Sequence, residues 1–324
     1  MTTEPAHPEA GRSDIALGRR VVMRYRLPAG HPQPLTDVIG ELVSLDPPTV
    51  RAADGQLVSV TTDRVVALKA LGPRPIRIGE IRALEAAAAF GWPGIEHEWI
   101  DGWLLRAGND YTHRANSAVP LGDHGIPADL TTETLLRIDD WYTLRGLPLR
   151  LALPDRLAPA PPGWTIERET VVLGIDIENF VLPQGPPMVR FAPTPEAAWL
   201  DMYQHSGENP DSTPVPEVLT AVHEGELAFA ALGVPQPIAI GRGALTTAPD
   251  ERRWIGVSCV AVAAEHRRHG LGSLICAELI RWGHDRGATH AYVQVEARNS
   301  GALALYRDMG FLDHHTYRYA SPPE

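Results

Sequence analysis

At 324 residues, the chain is long enough for two or three domains. Its 44% hydrophobic and 21% charged residues describe an ordinary globular protein, and no apolar stretch reaches the roughly 18 residues that indicate a membrane-spanning helix. The net charge of −11 disfavours nucleic acid as a direct partner. From Gly185 onward the chain carries 11 Arg and no Lys against 16 Asp and Glu, which favours a cationic ligand.

Targeting and redox signals are weak in this sequence. Residues 1–14 are polar, without the apolar segment of a signal peptide, and predict a disordered leader. The two cysteines, Cys259 and Cys276, both fall in apolar runs, so we expect no disulfide and a cytoplasmic location. Because no Cys or His spacing typical of a metal site is present, we expect no metal.

Residues 15–73 alternate short apolar segments with clusters of turn residues, which predicts five short strands in a small β-barrel. The pattern Ile39-Gly-Glu-Leu-Val, followed by an Asp54-Gly55 hairpin, resembles SH3-like barrels. Since no basic-aromatic patch is present, a scaffold or dimerisation role is favoured over binding of peptide or nucleic acid. The segments are Arg20–Arg26, Asp37–Leu45, Thr49–Ala52 and Leu57–Leu71.

The region 74–184 has the periodicities of an α/β unit. We predict helices at Ile81–Phe90 and Leu130–Arg145, strands at Glu96–Arg106, His113–Leu121 and Pro148–Leu153, and a further strand or hairpin at Gly163–Val181. The segment Leu182–Met188 contains three prolines and predicts the seam to a last unit at 185–324.

In the last unit, we predict helices at Ala192–Tyr203 and Pro214–Glu224, and a hairpin of Glu226–Leu232 with Pro237–Leu245. The apolar run Trp254–Val262 then predicts a strand that leads into a polar loop and an amphipathic helix. The loop carries Arg267-x-x-Gly270-x-Gly272. Glycines at such a turn let successive N–H groups point into one concavity, with the positive end of the helix dipole behind them. The pattern is therefore suited to a pyrophosphate, although a plain structural turn is its commoner meaning.

A second pattern follows at a fixed distance along the chain. The predicted strand Ala291–Glu296 leads into Asn299-Ser-Gly-Ala-Leu-Ala-Leu-Tyr306 and then Gly310-Phe311. Together, the two patterns closely resemble the GNAT acyltransferase superfamily, whose motifs are V-x-P-x-x-R-G-x-G-x-G and N-x-x-A-x-x-x-Y-x-x-x-G-F. Two departures are visible, since Ala264 stands where proline is usual and Arg268 where glycine is common.

The resemblance implies an acetyl-CoA-dependent N-acetyltransferase with an α/β (α+β) GNAT fold. It implies that the strand ending at Val262 diverges from Ala291–Glu296 and offers its free backbone groups to the pantetheine arm of acetyl-CoA. The acceptor would be a small amine or a basic peptide or protein. The cofactor-binding residues implied are Val260, Ala261, Val262, Arg267, Arg268, His269, Gly270, Leu271, Gly272, Ser273 and Asn299.

By the same resemblance, Tyr306 matches the general acid that protonates the departing thiolate. The alternative for Tyr306 is a core-packing tyrosine at the Gly310-Phe311 corner. Asn299 is either a helix cap alone or a cap that also contacts the pantetheine.

The general base has several candidates in the sequence. Glu296, at the end of its strand, is the nearest carboxylate by topology, and its alternative role is an ion pair with Arg298. We interpret Cys259 as a small strand residue, because no activating histidine pattern accompanies it. Weaker candidates for the base are Ser258, Glu226, His314 and His315.

The region 74–184 repeats the order helix, strands, helix, strand of the last unit but has neither the glycine loop nor the tyrosine helix. Its Trp103-Leu-Leu-Arg106 and Arg114-Ala-Asn-Ser117 resemble the leading half of actinobacterial tandem GNAT proteins. We therefore expect a degenerate GNAT-like unit at 74–184 before a catalytic one at 185–324, in which residues 204–213 shape specificity. Two other functions stay open: an acyl-CoA-binding regulator without turnover, and an interaction protein acting through the barrel.

Overall fold

The computed structural model describes residues 15–28, 30–71, 75–123, 126–206 and 216–323, except the side chains of residues 204–206. The predicted leader at 1–14 and most of the predicted specificity segment at 204–213 lie outside the described residues. The chain divides into two compact units, the first ending at Pro75 and the second beginning at Ile76.

The first unit is a single sheet of five antiparallel strands in the order β4-β3-β2-β1-β5. Alternate residues of these strands point inward, and Val21, Met23, Leu42 and Val50 are completely buried. The predicted number of strands is confirmed. Within the described residues β4 and β5 are not paired, so a closed barrel is not observed. The strands are β1 (Arg20–Arg26), β2 (Leu35–Leu45), β3 (Pro48–Ala52), β4 (Leu57–Ser59) and β5 (Val65–Ala70).

The second unit combines helices with two sheets. Its helices are α1 (Ile78–Gly91), α2 (Thr132–Thr143), α3 (Ala197–Ser206), α4 (Pro216–Thr220), α5 (Leu271–His284) and α6 (Ser300–Asp308). The three-stranded sheet contains β6 (Glu96–Ile100), β7 (Trp103–Ala107) and β8 (Val119–Pro120). The larger sheet contains β9 (Leu151–Pro154), β10 (Thr165–Asp176), β11 (Arg190–Ala192), β12 (Glu226–Leu232), β13 (Ala239–Thr247), β14 (Arg253–Val262), β15 (His290–Glu296) and β16 (Leu312–Ser321).

The larger sheet shows that a boundary at 184/185 does not separate two compact bodies. Its strand order is β11-β12-β13-β14-β15-β10-β16-β9. Strand β10, from the predicted middle unit, pairs antiparallel with β15 on one side and with β16 on the other. Because β10 is hydrogen-bonded on both edges to strands of the predicted last unit, residues 76–324 form one compact unit.

Several predicted elements also differ locally. The segment predicted as one strand at Glu96–Arg106 is a hairpin that turns at Asp101 and Gly102, both with positive φ. An Asp-Gly pair supports such a two-residue turn, and the prediction of a single strand overlooked this signal. The predicted helix at Ala192–Tyr203 begins only at Ala197, and no strand was predicted at β16.

The two faces of the larger sheet pack against different helices. On one face, side chains of β10, β15 and β16 pack against α1 through Leu84, Val172 and Tyr292. On the other face, α5 and α6 cover a core that includes Ile255 and Leu279. The alternation of side chains along each strand divides the functional residues between these faces.

Candidate active site

Strands β14 and β15 run parallel and then diverge. They are paired at Trp254–His290, Ile255–Ala291 and Gly256–Tyr292, and not beyond, although β14 continues to Val262 and β15 to Glu296. Each strand keeps its partner on the other side, β13 and β10 respectively. The edge of β14 that faces β15 is therefore free after Gly256, as the family resemblance implied, and an extended ligand could pair with it.

An irregularity in β14 lies within this free segment. The register between β13 and β14 shifts after Ile240–Ala261, and Cys259 has a φ of 54°. A bulge of this kind changes the direction in which the neighbouring side chains of the strand point. Val260 and Val262 are half-buried and Ala261 is buried, so the strand is accessible only at its edge.

The loop from Arg267 to Ser273 leads from β14 into α5. Gly270 is the N-cap of α5 with a φ of 76°, and no side chain caps the helix. A Cβ at Gly270 would have no other atom within 4 Å, so the concavity in front of the helix is open. The first backbone bond of the helix is donated by Leu274 to Gly270. The N–H groups of the first turn are thus positioned to receive an anion.

Three polar side chains of this loop are exposed. Arg267 Nε donates a hydrogen bond to the Val262 carbonyl oxygen at 3.1 Å, which fastens the loop to the end of β14. His269 Nδ1 lies 3.3 Å from the carbonyl oxygen of His266. Arg268 has a φ of 62°, a left-handed conformation that favours glycine and explains why glycine is common at this place in the motif.

Asn299 caps α6 at the end of β15. Its Oδ1 accepts a hydrogen bond from the Ala302 N–H at 3.1 Å, which confirms the predicted cap. Among the described residues its Nδ2 has no partner, and the side chain is exposed. The amide can therefore donate a hydrogen bond to a ligand that lies near the end of β15.

Tyr306 extends from α6 into the core on the α5 side of the sheet. It is 6% exposed, and its ring meets Phe311 edge-on at 5.8 Å between centroids. Burial raises the pKa of Tyr306 well above its ordinary value, with smaller contributions from the Cys276 thiol, to which its hydroxyl donates, and from Cys259. Tyr306 is therefore a packed residue whose phenol stays protonated, and whose hydroxyl lies between α5 and β14.

The candidate bases are mostly engaged with other groups. The Glu296 carboxylate lies 3.5 Å from Arg168 Nη1 and 2.5 Å from Arg298 Nε, so the predicted alternative of an ion pair is confirmed. His315 Nε2 lies 2.7 Å from the buried Glu85 carboxylate, and its Nδ1 lies 2.7 Å from Nδ1 of His314. The Glu226 carboxylate pairs with Arg286 at 3.4 Å.

Cys259 is a neutral thiol rather than a nucleophile. Burial raises its pKa, against the smaller opposite effect of the Arg242 guanidinium. A nucleophilic cysteine needs a lowered pKa, so the interpretation of Cys259 as a strand residue is supported.

A small cavity lies on the α1 face where β14 and β15 diverge. The empty space in it and in front of it amounts to about 260 Å³, a figure that includes open solvent, so the cavity itself is a narrow recess. Ser258 and Gln294, each two residues beyond the last paired positions, line it together with Tyr292. The other lining residues are Ala88, Gly91, Trp92, Arg114, Arg242, Ala244, Gly256 and Val257.

Arg242, on β13, is the side chain that sequence reasoning missed. It is 1% exposed and donates hydrogen bonds to the carbonyl oxygens of Leu219, Gly91 and Ala221, at 2.7, 3.0 and 2.9 Å. Its guanidinium stacks on Trp92 at 4.5 Å, and burial lowers its pKa to about 10. An arginine inside the apolar sequence of β13 was the signal that could have identified it.

Comparison with known proteins agrees with this geometry. A family profile described as "Probable histone acetyltransferase Rv0428c C-terminal" matches residues 78–320, and one described as "Rv0428c N-terminal Sm-like domain" matches residues 15–69. The Mycobacterium tuberculosis protein named Probable histone acetyltransferase Rv0428c is 42% identical over 308 residues, 94% of each chain. The Bacillus subtilis protein named Uncharacterized N-acetyltransferase YobR is 27% identical, over 74% of this chain and 98% of its own.

A solved structure supports the fold. A GCN5-related N-acetyltransferase from Kribbella flavida superimposes with a TM-score of 0.52 at 19% identity, over 76% of this chain and 97% of its own. The fold and the site therefore define a GNAT acetyltransferase. The chain belongs to the Rv0428c-like family of these enzymes, in which an Sm-like domain precedes the acetyltransferase region.

The Sm-like match corrects the predicted SH3-like barrel at 15–73. Both folds are built from five short strands, and alternating segments with turn residues do not distinguish them. No helix in the described ranges is long and apolar enough to cross a membrane.

Proposed function

We propose that this enzyme transfers the acetyl group of acetyl-CoA to a primary amine by direct attack. The observation that carries the proposal is the divergence of β14 from β15 directly beside the uncapped N-terminus of α5. A free strand edge suits the amide-rich pantetheine arm, and the open helix terminus suits the pyrophosphate.

Acetyl-CoA would supply an activated acyl group as a thioester. The residues that would hold it are Val260, Ala261 and Val262 along the strand edge, the loop residues Arg267–Ser273 at the pyrophosphate, and Asn299 through its free amide. The open space at Gly270 and the absence of a capping side chain fit this ligand. The exposed guanidiniums of Arg267 and Arg268 add positive charge beside the phosphates.

In the transfer step, the amine nitrogen forms a bond to the acetyl carbon while the carbon–sulfur bond breaks. A backbone N–H of the free β14 segment stabilises the oxyanion, an effect typically worth about 3 kcal/mol. Tyr306 gives its proton to the departing thiolate. Burial raises the pKa of Tyr306, so the phenol is fully protonated at physiological pH, but the same shift makes it a weaker proton donor.

We also propose that the region 76–176 includes a degenerate copy of the acetyltransferase half. Ala118, directly before β8, forms a parallel bridge with Leu151 of β9, as β14 and β15 form parallel pairs. The connecting segment contains α2 but no counterpart of the glycine loop. This region therefore covers one face of the sheet and supplies Trp92 and Arg114 to the cavity, without binding acetyl-CoA itself.

The proposal is tested by mixing the full chain with acetyl-CoA and a panel of amines, and following release of the CoA thiol. Amine-dependent release supports the transferase. Tight acetyl-CoA binding without release for any amine would instead favour a regulator. Absence of binding would leave the Sm-like domain as the functional part, to be examined for a protein partner.

A further inference from the structure

The cavity on the α1 face carries positive charge without a matching carboxylate. Its charged lining residues are Arg114 and Arg242, and no Asp or Glu lines it. Burial has the largest effect on the pKa of both guanidiniums. After burial, the groups with the largest effects are the phenols of Tyr317 and Tyr319 for Arg114, and the Cys259 thiol and the Tyr292 phenol for Arg242. Glu85, the buried carboxylate of α1, is held by His315 at 2.7 Å. Arg242 is 1% exposed and Arg114 is half-buried, and a buried cation without a counter-ion is costly unless a ligand supplies one.

The same cavity has hydrogen-bond donors that lack acceptors. Among the described residues, Trp92 Nε1 and Arg114 Nε are buried without a partner, and Trp92 is only 4% exposed. An unsatisfied buried donor costs roughly 1–3 kcal/mol, so two around one cavity indicate a missing acceptor. A carboxylate has two oxygens that only accept hydrogen bonds, and planar guanidiniums bind it well.

The cavity opens where the thioester is proposed to lie. Ser258 and Gln294 line it, and they are the residues that follow the last paired positions of β14 and β15 on this face. Tyr306 belongs to the core on the opposite face. An acceptor that enters from the cavity would thus meet the acetyl group from the side opposite to the proposed general acid.

We propose that the acceptor is an amine that carries a carboxylate, of the amino-acid class, and that Arg114, Arg242, Trp92 and Ser258 bind its acid group. The proposal rests on the acetyl transfer proposed above. The amine of this acceptor attacks the acetyl carbon, and the carbon–sulfur bond breaks. The amine loses a proton to solvent, and the thiolate takes a proton from Tyr306.

The cationic lining has a second consequence for the reaction. Nearby positive charge favours the neutral form of an amine over its ammonium form. The acceptor can therefore become nucleophilic without a carboxylate base, and Glu296 is already held by two arginines. The expectation of a cationic acceptor, drawn from the net charge of −11, is opposed by the local charge of this cavity. A histone, the acceptor in the name of the M. tuberculosis relative, is disfavoured for the same reason.

The test uses the full chain and matched acceptors: α-amino acids, their carboxamides, the corresponding decarboxylated amines, and spermidine. We expect kcat/KM for an amino acid to exceed that for its carboxamide by at least roughly tenfold, with spermidine lowest, because a site built around an acid group rejects analogues without it. An amide or polyamine acetylated as well as the acid would overturn the proposal.

Variants of single residues test which side chains cause the preference for an acceptor with a carboxylate. Arg114→Gln and Ser258→Ala should reduce the preference for the acid, because both side chains line the cavity. The control is Arg286→Gln. Arg286 does not line the cavity, and its guanidinium stacks on Trp282 at 4.4 Å, so the variant should leave the preference for the acid unchanged. Equal loss in all three variants would contradict the assignment.

A binding measurement separates failure of this proposal from failure of the acetyl transfer. Calorimetric titration compares N-acetyl amino acids with their amides in the presence of CoA. Preference for the acids, lost in Arg114→Gln, supports the carboxylate site even if no amine is acetylated. Equal binding of acids and amides would overturn it even if transfer occurs.

Discussion

The ring of Tyr292 lies directly over Gly256, at the last position where β14 and β15 are paired. A Cβ at Gly256 would lie 2.3 Å from both Cζ and the hydroxyl oxygen of Tyr292. The same hydroxyl lies 3.0 Å from the place of a Cβ at Gly91, so two glycines form a slot for this ring. The slot holds Tyr292 against α1 and fixes one wall of the cavity.

Gly256→Ala should therefore displace Tyr292 and destabilise the second unit by roughly 1–3 kcal/mol, the usual cost of overpacking. Gly174→Ala is the matched control, because its Cβ would meet no atom closer than 3.7 Å. Urea denaturation of both variants measures the difference. Equal stability of the two would show that the ring adjusts without cost.

The glycine loop provides the test of acetyl-CoA binding. Gly270→Val should lower acetyl-CoA affinity at least tenfold, about 1.4 kcal/mol, because the side chain fills the concavity in front of α5. Gly146→Val is the control for backbone strain, since Gly146 also has a positive φ, of 65°, and open space around it. Each variant should lose about 1–2 kcal/mol of stability from the left-handed conformation. Calorimetry that finds unchanged affinity in folded Gly270→Val would refute the loop assignment.

The sequence predicted most of what is local to the chain. Strand β14, the loop and α5 follow from one continuous stretch, and Asn299 and Tyr306 from another. Strand β10 could not be placed, because its pairing with β15 and β16 joins segments more than a hundred residues apart. The cavity was missed for the same reason, since Arg114 and Arg242 meet only through the fold.

One acetyl-CoA should bind per chain. The region 76–176 has no glycine loop, and β10 is part of the common sheet, so the binding ratio must be measured on the full chain. Calorimetric titration of the intact protein should give a ratio of one. A ratio of two would show that the region 76–176 keeps a binding site of its own.

Buried tyrosines predict the response of stability to alkaline pH. Burial raises the pKa of Tyr292 and of Tyr111 to about 12. Above pH 10 the unfolded chain releases phenol protons that the folded chain keeps, so the free energy of unfolding falls as pH rises to about 12. The slope is roughly 1.4 kcal/mol per pH unit for each tyrosine. Tyr292→Phe should reduce the slope in denaturation curves between pH 9 and about 12, and an unchanged slope would contradict the burial effect.

Tyr306→Phe tests the central claim most directly, because the substitution keeps the packing against Phe311 and removes only the hydroxyl. If Tyr306 protonates the thiolate, the rate constant of acetyl transfer should fall by roughly 10²–10³, with little change in acetyl-CoA affinity. The rate constant is measured by thiol release at saturating acetyl-CoA with the best amine of the panel. Retention of more than about half of the wild-type rate would contradict the role of Tyr306 as the general acid.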